Sequence, residues 1–210
     1  MNIYNLYSGS WLSNCYVLIS SGDDSRNHAA IIDPSTDADH IARFVESKNA
    51  FVDKIILTHG HFDHIMSLDS IRDITGASAY IHAEDAEMLE DSDKNAYSFF
   101  FGQDFSQRPA EFLLSDNDII KLGNEELEVI HLPGHSKGSI ALMGEGFLIT
   151  GDTIFSEGFG RYDLHGGSAH LLKNTLNKLK EFDPQLIIYP GHGNSEKLGT
   201  ALRNISYFLN

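Results

Sequence analysis

The sequence THGHFDH at residues 58–64 follows a short apolar run that is typical of a β-strand. Neutral imidazoles and carboxylates are ligands of zinc and of iron-type metals, and this stretch holds both. The two-residue spacing of His59 and His61 lets both rings converge on one ion, whereas Asp63 and His64 can face a second ion. The stretch therefore predicts a metal site at the turn between a strand and a helix.

Further potential ligands follow three later apolar runs, each close to a glycine. They are His135, Asp152 and His192. In open α/β sheets, ligands bind at the carboxyl ends of the strands. A buried structural histidine or a capping aspartate explains one such position, but four strand ends in a row favour a shared site. We therefore expect these side chains to meet residues 58–64 at one edge of a sheet.

Short apolar runs alternate with helical patterns along the chain, which is typical of an α/β domain. The predicted strands are Cys15–Ser20, Ala29–Asp33, Lys54–Thr58, Ala79–His82, Leu127–Leu132, Phe147–Thr150 and Leu186–Tyr189. The predicted helices are Asp37–Lys48, Ile65–Thr75, Ser168–Phe182 and Ser195–Leu209. A length of 210 residues suits a single domain, residues 1–210, with a core of ordinary size.

The segment 83–115 is long for a connection between two strands, and it is rich in aromatic residues. We predict a helical insertion there. Its rings either pack into the core or form a cap over a pocket, where one or two of them touch the substrate.

Composition limits the partners of the protein. Lys and Arg number 15 against 30 Asp and Glu, so the net charge is −15, which argues against nucleic acid and anionic membranes. Cys15 is the only cysteine, so CxxC-type sites are excluded. We find no signal peptide and no apolar run near the roughly 18 residues of a membrane span. We therefore predict a cytoplasmic protein and leave its oligomeric state open.

The chain resembles the metallo-β-lactamase-fold hydrolases, and within them the glyoxalase II-like (hydroxyacylglutathione hydrolase-like) group. The resemblance covers nearly the whole chain, and its motifs are THGHFDH at 58–64, GHS at 134–136, GDT at 151–153 and GRYDL at 160–164. It implies a four-layer αβ/βα sandwich, an α/β fold in which two mixed sheets face each other between flanking helices. The metals would lie at the sheet edge.

The same resemblance implies two divalent metal ions, with zinc expected first and iron or manganese also suited to these ligands. It assigns His59, His61 and His135 to the first metal, Asp63, His64 and His192 to the second, and Asp152 to both. Asp33 matches the family's strand-end aspartate, which orients a ligating imidazole.

Two cations that share a carboxylate lie about 3.5–4 Å apart, and a water between them loses a proton near neutral pH. We expect Asp63 and Asp152 to orient and hold the resulting hydroxide, which attacks an activated acyl group. The resemblance implies a small acyl-thiol substrate similar to S-lactoylglutathione, and hence a thioesterase. The alternatives are a mononuclear Fe(II) oxidoreductase similar to the persulfide dioxygenases, and a metallohydrolase of lactones or phosphoesters.

Three residues are candidate substrate contacts. Arg161 either anchors a substrate carboxylate or phosphate, or pairs with Asp163. Tyr162 is its neighbour in the GRYDL motif. Asn194 stands where the family has a tyrosine that contacts glutathione. The family's glutathione hydrolases also carry a C-terminal helical domain, whereas 18 residues follow His192 here, and we expect one helix from them.

Overall fold

Two six-stranded sheets form the centre of the structure, a computed structural model that describes residues 1–6, 13–22 and 26–209. The first sheet contains, in spatial order, β1 (Asn2–Asn5), β2 (Tyr16–Ser21), β3 (Asn27–Ile32), β4 (Ala50–Ile56), β5 (Ser78–His82) and β6 (Phe112–Leu114). Strands β1 to β3 pair in antiparallel fashion, and β3 to β6 pair in parallel. This sheet is therefore mixed.

The second sheet has the order β12-β11-β10-β9-β8-β7. Its strands are β7 (Ile119–Leu122), β8 (Glu125–His131), β9 (Ile140–Gly144), β10 (Phe147–Gly151), β11 (Ile187–Pro190) and β12 (Glu196–Lys197). Only β10 and β11 pair in parallel within the described part of this sheet. Both sheets are mixed, as predicted.

Helices cover the outer faces of both sheets. The α-helices are α1 (Ala38–Ser47), α2 (Phe62–Ile65), α3 (Leu68–Thr75), α4 (Tyr97–Phe101), α5 (Ala169–Lys178), α6 (Leu198–Asn204) and α7 (Ser206–Leu209). Short 3-10 helices occupy Ala83–Leu89 and Leu179–Glu181. Among the described residues, the longest helices, α1 and α5, have ten residues each, and none is long and apolar enough to span a membrane.

The core has three layers because the central strands are apolar on both faces. In β2, Val17 and Ile19 pack in a cluster with side chains of α1 and α3. Tyr16 and Leu18 point the other way and pack against strands of the second sheet. A third cluster lies between the second sheet and helices α5 to α7. This arrangement confirms the predicted four-layer αβ/βα sandwich.

Local signals account for the helix that the sequence predicts at Ser168. The Ser168 hydroxyl accepts a hydrogen bond from the backbone N–H of Leu171, which satisfies one of the unpaired donors of the first turn of α5. The C-terminal prediction is wrong in part, because Glu196 and Lys197 form β12 before the chain turns into α6 and α7. Their pairing with Ile188 and Ile187 of β11 overrides the helical pattern.

The aromatic segment 83–115 contains the first 3-10 helix, α4 and β6. Phe105 packs against the core cluster beneath the first sheet. Phe99, Phe100 and Phe101 of α4 are exposed. The end of the segment, β6, belongs to the first sheet and pairs with β5.

Candidate metal centre

Four strands end at one edge of the sandwich and carry the predicted ligands to it. The THGHFDH motif begins within two residues of the end of β4, in the first sheet. His135, Asp152 and His192 follow β8, β10 and β11 of the second sheet. Their donor atoms fall into overlapping groups of three whose members lie within 4.8 Å of one another. The structure therefore brings all of the predicted ligands together from both sheets.

The first triad consists of His59, His61 and His135, all of which are buried. Nδ1 of His61 lies 2.8 Å from Nε2 of His135. Nε2 of His59 lies 3.1 Å from the same atom. Three imidazole nitrogens thus face one point.

Hydrogen bonds on the far side of two of these rings fix which nitrogen carries the proton. Nδ1 of His135 lies 2.7 Å from the Arg161 carbonyl oxygen, which can only accept, so Nδ1 is the protonated nitrogen. Nδ1 of His59 lies 3.1 Å from the Thr58 hydroxyl, which in turn donates to Asp33. Nε2 of each of these two rings is then unprotonated, and its lone pair is directed into the triad. Lone pairs at this separation repel, and a cation between them removes the repulsion.

The second triad consists of Asp63, His64 and His192. Nε2 of His192 lies 3.1 Å from Oδ2 of Asp63, and Nε2 of His64 lies 3.8 Å from the same oxygen. Nδ1 of His64 donates to Oδ2 of Asp33 at 2.8 Å, which leaves Nε2 directed into the triad. That Nε2 is buried and has no hydrogen-bond partner among the described residues.

Asp152 lies between the two triads. Its Oδ1 is 3.3 Å from Nε2 of His64, and its Oδ2 is 3.5 Å from Nε2 of His192. The same Oδ2 is 3.7 Å from Nε2 of His135, in the first triad. Within the described part of the chain, Oδ1 is a buried acceptor that receives no hydrogen bond. Buried polar atoms are normally satisfied, so an unsatisfied carboxylate oxygen beside unsatisfied imidazoles suits a site for cations.

The pKa values of these groups fit the same interpretation. Burial, reinforced by neighbouring imidazoles, lowers the pKa of His59 far below its ordinary value and that of His61 to about 3. Burial opposes protonation of His64 as well, but the carboxylates of Asp152, Asp33 and Asp63 outweigh it and raise the pKa of that ring. His59 and His61 are therefore neutral near pH 7, whereas the carboxylates around His64 favour a positive charge there, which a metal ion can supply.

These donors are imidazoles and carboxylates with no thiolate among them, since Cys15 is buried outside the groups of potential ligands. Such a set suits divalent zinc, iron or manganese. The unpaired buried atoms and the residues around them thus fit a pair of divalent ions.

A family model described as "Metallo-beta-lactamase superfamily" matches residues 9–192. The chain belongs to the metallo-beta-lactamase superfamily. It is 32% identical over 184 residues to the probable metallo-hydrolase YqgX of Bacillus subtilis, with 86% of this chain and 85% of YqgX covered. The crystal structure of BLEG-1 B3 metallo-beta-lactamase has a TM-score of 0.90 and 31% identity, with 100% of both chains covered.

A second solved structure of the superfamily contains metal. The crystal structure of TTHA1623 in a di-iron-bound form has a TM-score of 0.81 to this chain and 26% sequence identity. The alignment covers 96% of this chain and 98% of that chain. The metallo-hydrolase relatives and the cluster of histidines and aspartates together support a metal-dependent hydrolase.

Asp33 orients the THGHFDH motif through hydrogen bonds with Thr58 and His64. Its Oδ1 accepts a hydrogen bond from the backbone N–H of Thr58 at 2.8 Å. Its Oδ2 accepts from the Thr58 hydroxyl at 2.6 Å and from Nδ1 of His64 at 2.8 Å. One carboxylate therefore fixes the start of the motif and the ring orientation of His64.

Sequence reasoning missed Asp85, which joins the loops from the two sheets. The Asp85 carboxylate is buried and accepts hydrogen bonds from the Ser136 hydroxyl at 2.5 Å, the Gly138 N–H at 2.6 Å and the Gly60 N–H at 3.3 Å. It thereby ties the loop of His59 and His61 to the loop of His135. A lone aspartate in a helical pattern gave no signal of this role.

Asn14 is a second missed residue, and it holds the loop that carries His192. Its side-chain amide donates to the carbonyl oxygens of Pro190 and Gly193, both at 2.9 Å. The Tyr16 hydroxyl donates to the same Pro190 oxygen at 2.7 Å. No local pattern in the sequence indicates this contact, which spans 176 residues.

The candidate substrate contacts differ in position. Arg161 lines a cavity of about 510 Å³ that opens beside the triads. Its guanidinium pairs with Asp163 through two hydrogen bonds of 2.7 and 2.8 Å. Tyr162 is exposed and stacks on Phe208, and both it and Asn194, also exposed, lie outside the lining of this cavity.

Proposed function

We propose that this protein is a dinuclear metal hydrolase that cleaves a small acyl thioester. The proposal rests on the position of the Asp152 carboxylate, which lies within 3.3–3.7 Å of imidazoles from both triads. A carboxylate in that position can bridge two ions. Zinc is the first expectation for both, and the di-iron form of TTHA1623 makes iron the second.

The imidazoles and carboxylates of the site would contribute differently to the proposed hydrolysis. Two divalent ions bound here would supply a hydroxide at neutral pH and polarise the substrate carbonyl. The neutral imidazoles of His59 and His61 leave the charge of the first ion undiminished. Asp63 and Asp152 bring negative charge that favours cations, and we expect them to orient and hold the hydroxide. The departing thiol has a pKa of about 8.5, so it leaves as a thiolate without a general acid.

The thioester part of the proposal is supported by the narrower resemblance to the glyoxalase II-like group. The GHS, GDT and GRYDL motifs lie at residues 134–136, 151–153 and 160–164. The first two hold candidate ligands, and the third contributes Gly160, Arg161 and Leu164 to the cavity lining.

Replacing Asp152 tests the proposal. Asp152→Asn keeps the shape of the side chain but removes the bridging charge, so we expect metal content to fall from two ions to one. Thioester hydrolysis should fall about 100-fold or more, as for the loss of other electrostatic contacts to a transition state. Metal analysis and assays with S-D-lactoylglutathione and an uncharged thioester measure both effects. The matched control is Asp39→Asn on the exposed face of α1. Two retained metals and full activity would show that the dinuclear mechanism is wrong.

Lactam hydrolysis is a second candidate, because BLEG-1 is described as a B3 metallo-beta-lactamase and aligns over the full chain. The chromogenic lactam nitrocefin tests it with the same variants. The resemblance of the GHS, GDT and GRYDL motifs to the glyoxalase II-like group favours the thioesterase, so we expect nitrocefin turnover to be far below thioester turnover.

The persulfide dioxygenase alternative requires one Fe(II) held by two histidines and one aspartate, with open positions for oxygen. The second triad is complete here, and a mononuclear enzyme would not need it. Sulfite production by anaerobically iron-loaded protein would favour that alternative over the hydrolase.

A further inference from the structure

The cavity beside the triads has a metal-binding side and an apolar side. Its volume of about 510 Å³ is within the usual range for small-molecule sites. Its metal-binding side includes His61, Asp63 and Asp152. Its apolar side consists of Phe62, Ala96, Phe100, Phe101, Phe155 and Leu164.

Backbone geometry holds α4 beside the metal motif. The Asn95 carbonyl accepts a hydrogen bond of 3.0 Å from the N–H of Phe62, inside THGHFDH. The next residue, Ala96, is buried in the left-handed conformation with φ 69°, which a non-glycine residue adopts only where its surroundings impose it. The fixed turn places the rings of α4 at the cavity.

Two rings of α4 present apolar surface to that cavity. Phe100 is 48% exposed and Phe101 is 42% exposed, although both pack against Phe62 with ring centroids 5.6 Å apart. Apolar surface next to water is favourable to cover, so a ligand with an apolar group gains free energy at this wall.

The charge of Arg161 is already paired. Its guanidinium forms the two hydrogen bonds to Asp163 and lies over the ring of Phe100 at 5.6 Å. It is the single Lys or Arg in the lining that the structure describes. A substrate arm with carboxylates or phosphates would therefore meet no unpaired basic side chain in the described lining. The net charge of −15 also disfavours such an arm.

We infer that the substrate is a thioester with an apolar acyl group and without a charged arm on its thiol. The acyl group lies against Phe100 and Phe101 while its carbonyl reaches the triads. The inference rests on the proposed function. Water adds its oxygen to the acyl carbon, the carbon–sulfur bond breaks, and the thiol keeps one proton of the water. The acid product releases the other proton at neutral pH.

Matched thioesters of the uncharged thiol N-acetylcysteamine test this inference. Each methylene taken out of water favours binding about fourfold. We therefore expect kcat/KM for the hexanoyl thioester to exceed that for the acetyl thioester at least tenfold. It should also exceed the values for S-hexanoylglutathione and S-D-lactoylglutathione, which carry the charged peptide. A preference for acetyl or for either glutathione thioester would overturn the inference and leave the thioesterase proposal standing.

Three variants at two positions of α4 show which ring causes the preference for the hexanoyl group. Phe101→Ala should lower the hexanoyl-to-acetyl ratio about tenfold, whereas Phe99→Ala should leave it unchanged because Phe99 lies outside the cavity lining. Phe99 is 69% exposed, so its replacement is a matched control on α4. Phe101→Leu keeps an apolar side chain and should retain most of the ratio. It is the variant to measure if Phe101→Ala is destabilised. Equal ratios in all three variants would contradict the inference.

A binding measurement separates this inference from the proposed reaction. Calorimetry with N-(2-acetamidoethyl)hexanamide and its acetyl counterpart uses the same compounds with nitrogen in place of sulfur, so no hydrolysis is required. We expect at least tenfold tighter binding of the hexanamide and loss of that difference in Phe101→Ala. If the hexanamide binds more tightly but no thioester is hydrolysed, the apolar pocket is supported and the thioesterase proposal is rejected. Equal binding of the two amides would reject the pocket.

Discussion

Asp33 shows how one side chain can set the geometry of a metal centre without binding the metal. It adopts a left-handed conformation with φ 51° at the end of β3, and its carboxylate is buried. Three donors converge on it, from the backbone and hydroxyl of Thr58 and from Nδ1 of His64. A residue in that role controls which nitrogen of His64 faces the second triad.

At this scale we predict the effect of Asp33→Asn. Asparagine tolerates the left-handed conformation, so the backbone is preserved. Its NH₂ group must replace one accepting oxygen and will face a donor. We expect the affinity for metal at the second triad to fall about 10–100-fold, with a smaller loss at the first triad, which Asp33 reaches only through Thr58. Competition titrations with a chromogenic chelator measure both affinities, with Asp39→Asn as the control. Equal loss at both triads would contradict a role specific to His64.

The sequence predicts which candidate ligands lie close together, because their spacing and chemistry are local. The residues of THGHFDH and the three strand-end positions all meet at one edge. The role of Arg161 could not be decided from the sequence, because only the folded structure shows its two hydrogen bonds to Asp163. Asp85 and Asn14 act through contacts between segments distant in sequence, and no local pattern marks such contacts.

At the scale of elements, the loops after the strands decide how closely the two triads approach. The loop after β11 passes directly over Asp152, and Gly191 allows this approach. A Cβ at that position would lie 2.1 Å from Oδ1 of Asp152 and 2.6 Å from Cε1 of His64. No real Cβ tolerates such distances, so any side chain there must displace the carboxylate or the loop.

We therefore predict that Gly191→Ala disrupts the bridging position. Metal content should fall by about one ion for each chain, and thioester hydrolysis should fall about 100-fold, as for the loss of a transition-state contact. Gly158→Ala is the control, since the nearest atom to its Cβ would be 3.9 Å away. Elemental analysis and activity assays distinguish the two. Normal metal content in Gly191→Ala would mean that the loop shifts without affecting Asp152.

Most central strands and the longer helices follow from sequence patterns, because their side chains alternate or repeat with the period of the element. The central strand β9 was not predicted, and the short edge strands were not predicted either. Strands β1, β6 and β12 contain four, three and two residues, too few to show a pattern. Pairing with a neighbouring strand makes them part of a sheet, and that information lies elsewhere in the chain.

At the scale of the whole molecule, the candidate centre joins the two sheets. The first sheet supplies THGHFDH after β4, and the second sheet supplies His135, Asp152 and His192. Ions bound between them would link two layers that also meet in the apolar core between the sheets and through the hydrogen bonds of Asp85 and Asn14.

Metal removal should therefore lower the stability of the entire domain. Each ion present at about 100 times its Kd stabilises the folded state by about 2.7 kcal/mol. For a chain of this size that corresponds to a decrease of about 5–10 °C in Tm for each ion removed by chelation. Calorimetry of dialysed protein, with zinc or iron added back, measures the change. An unchanged Tm after verified loss of metal would contradict a link between the sheets.

The tether formed by Asp85 has a consequence for how the centre is assembled. It holds the loops of Gly60 and Ser136 together through hydrogen bonds in which no ion takes part, so we expect these loops to be ordered before any ion arrives. The conformational entropy of the three converging imidazoles is then lost during folding rather than during metal uptake. Loading is accordingly expected to be a capture by a preorganised receptor, with a rate set by ion delivery and release of hydration water.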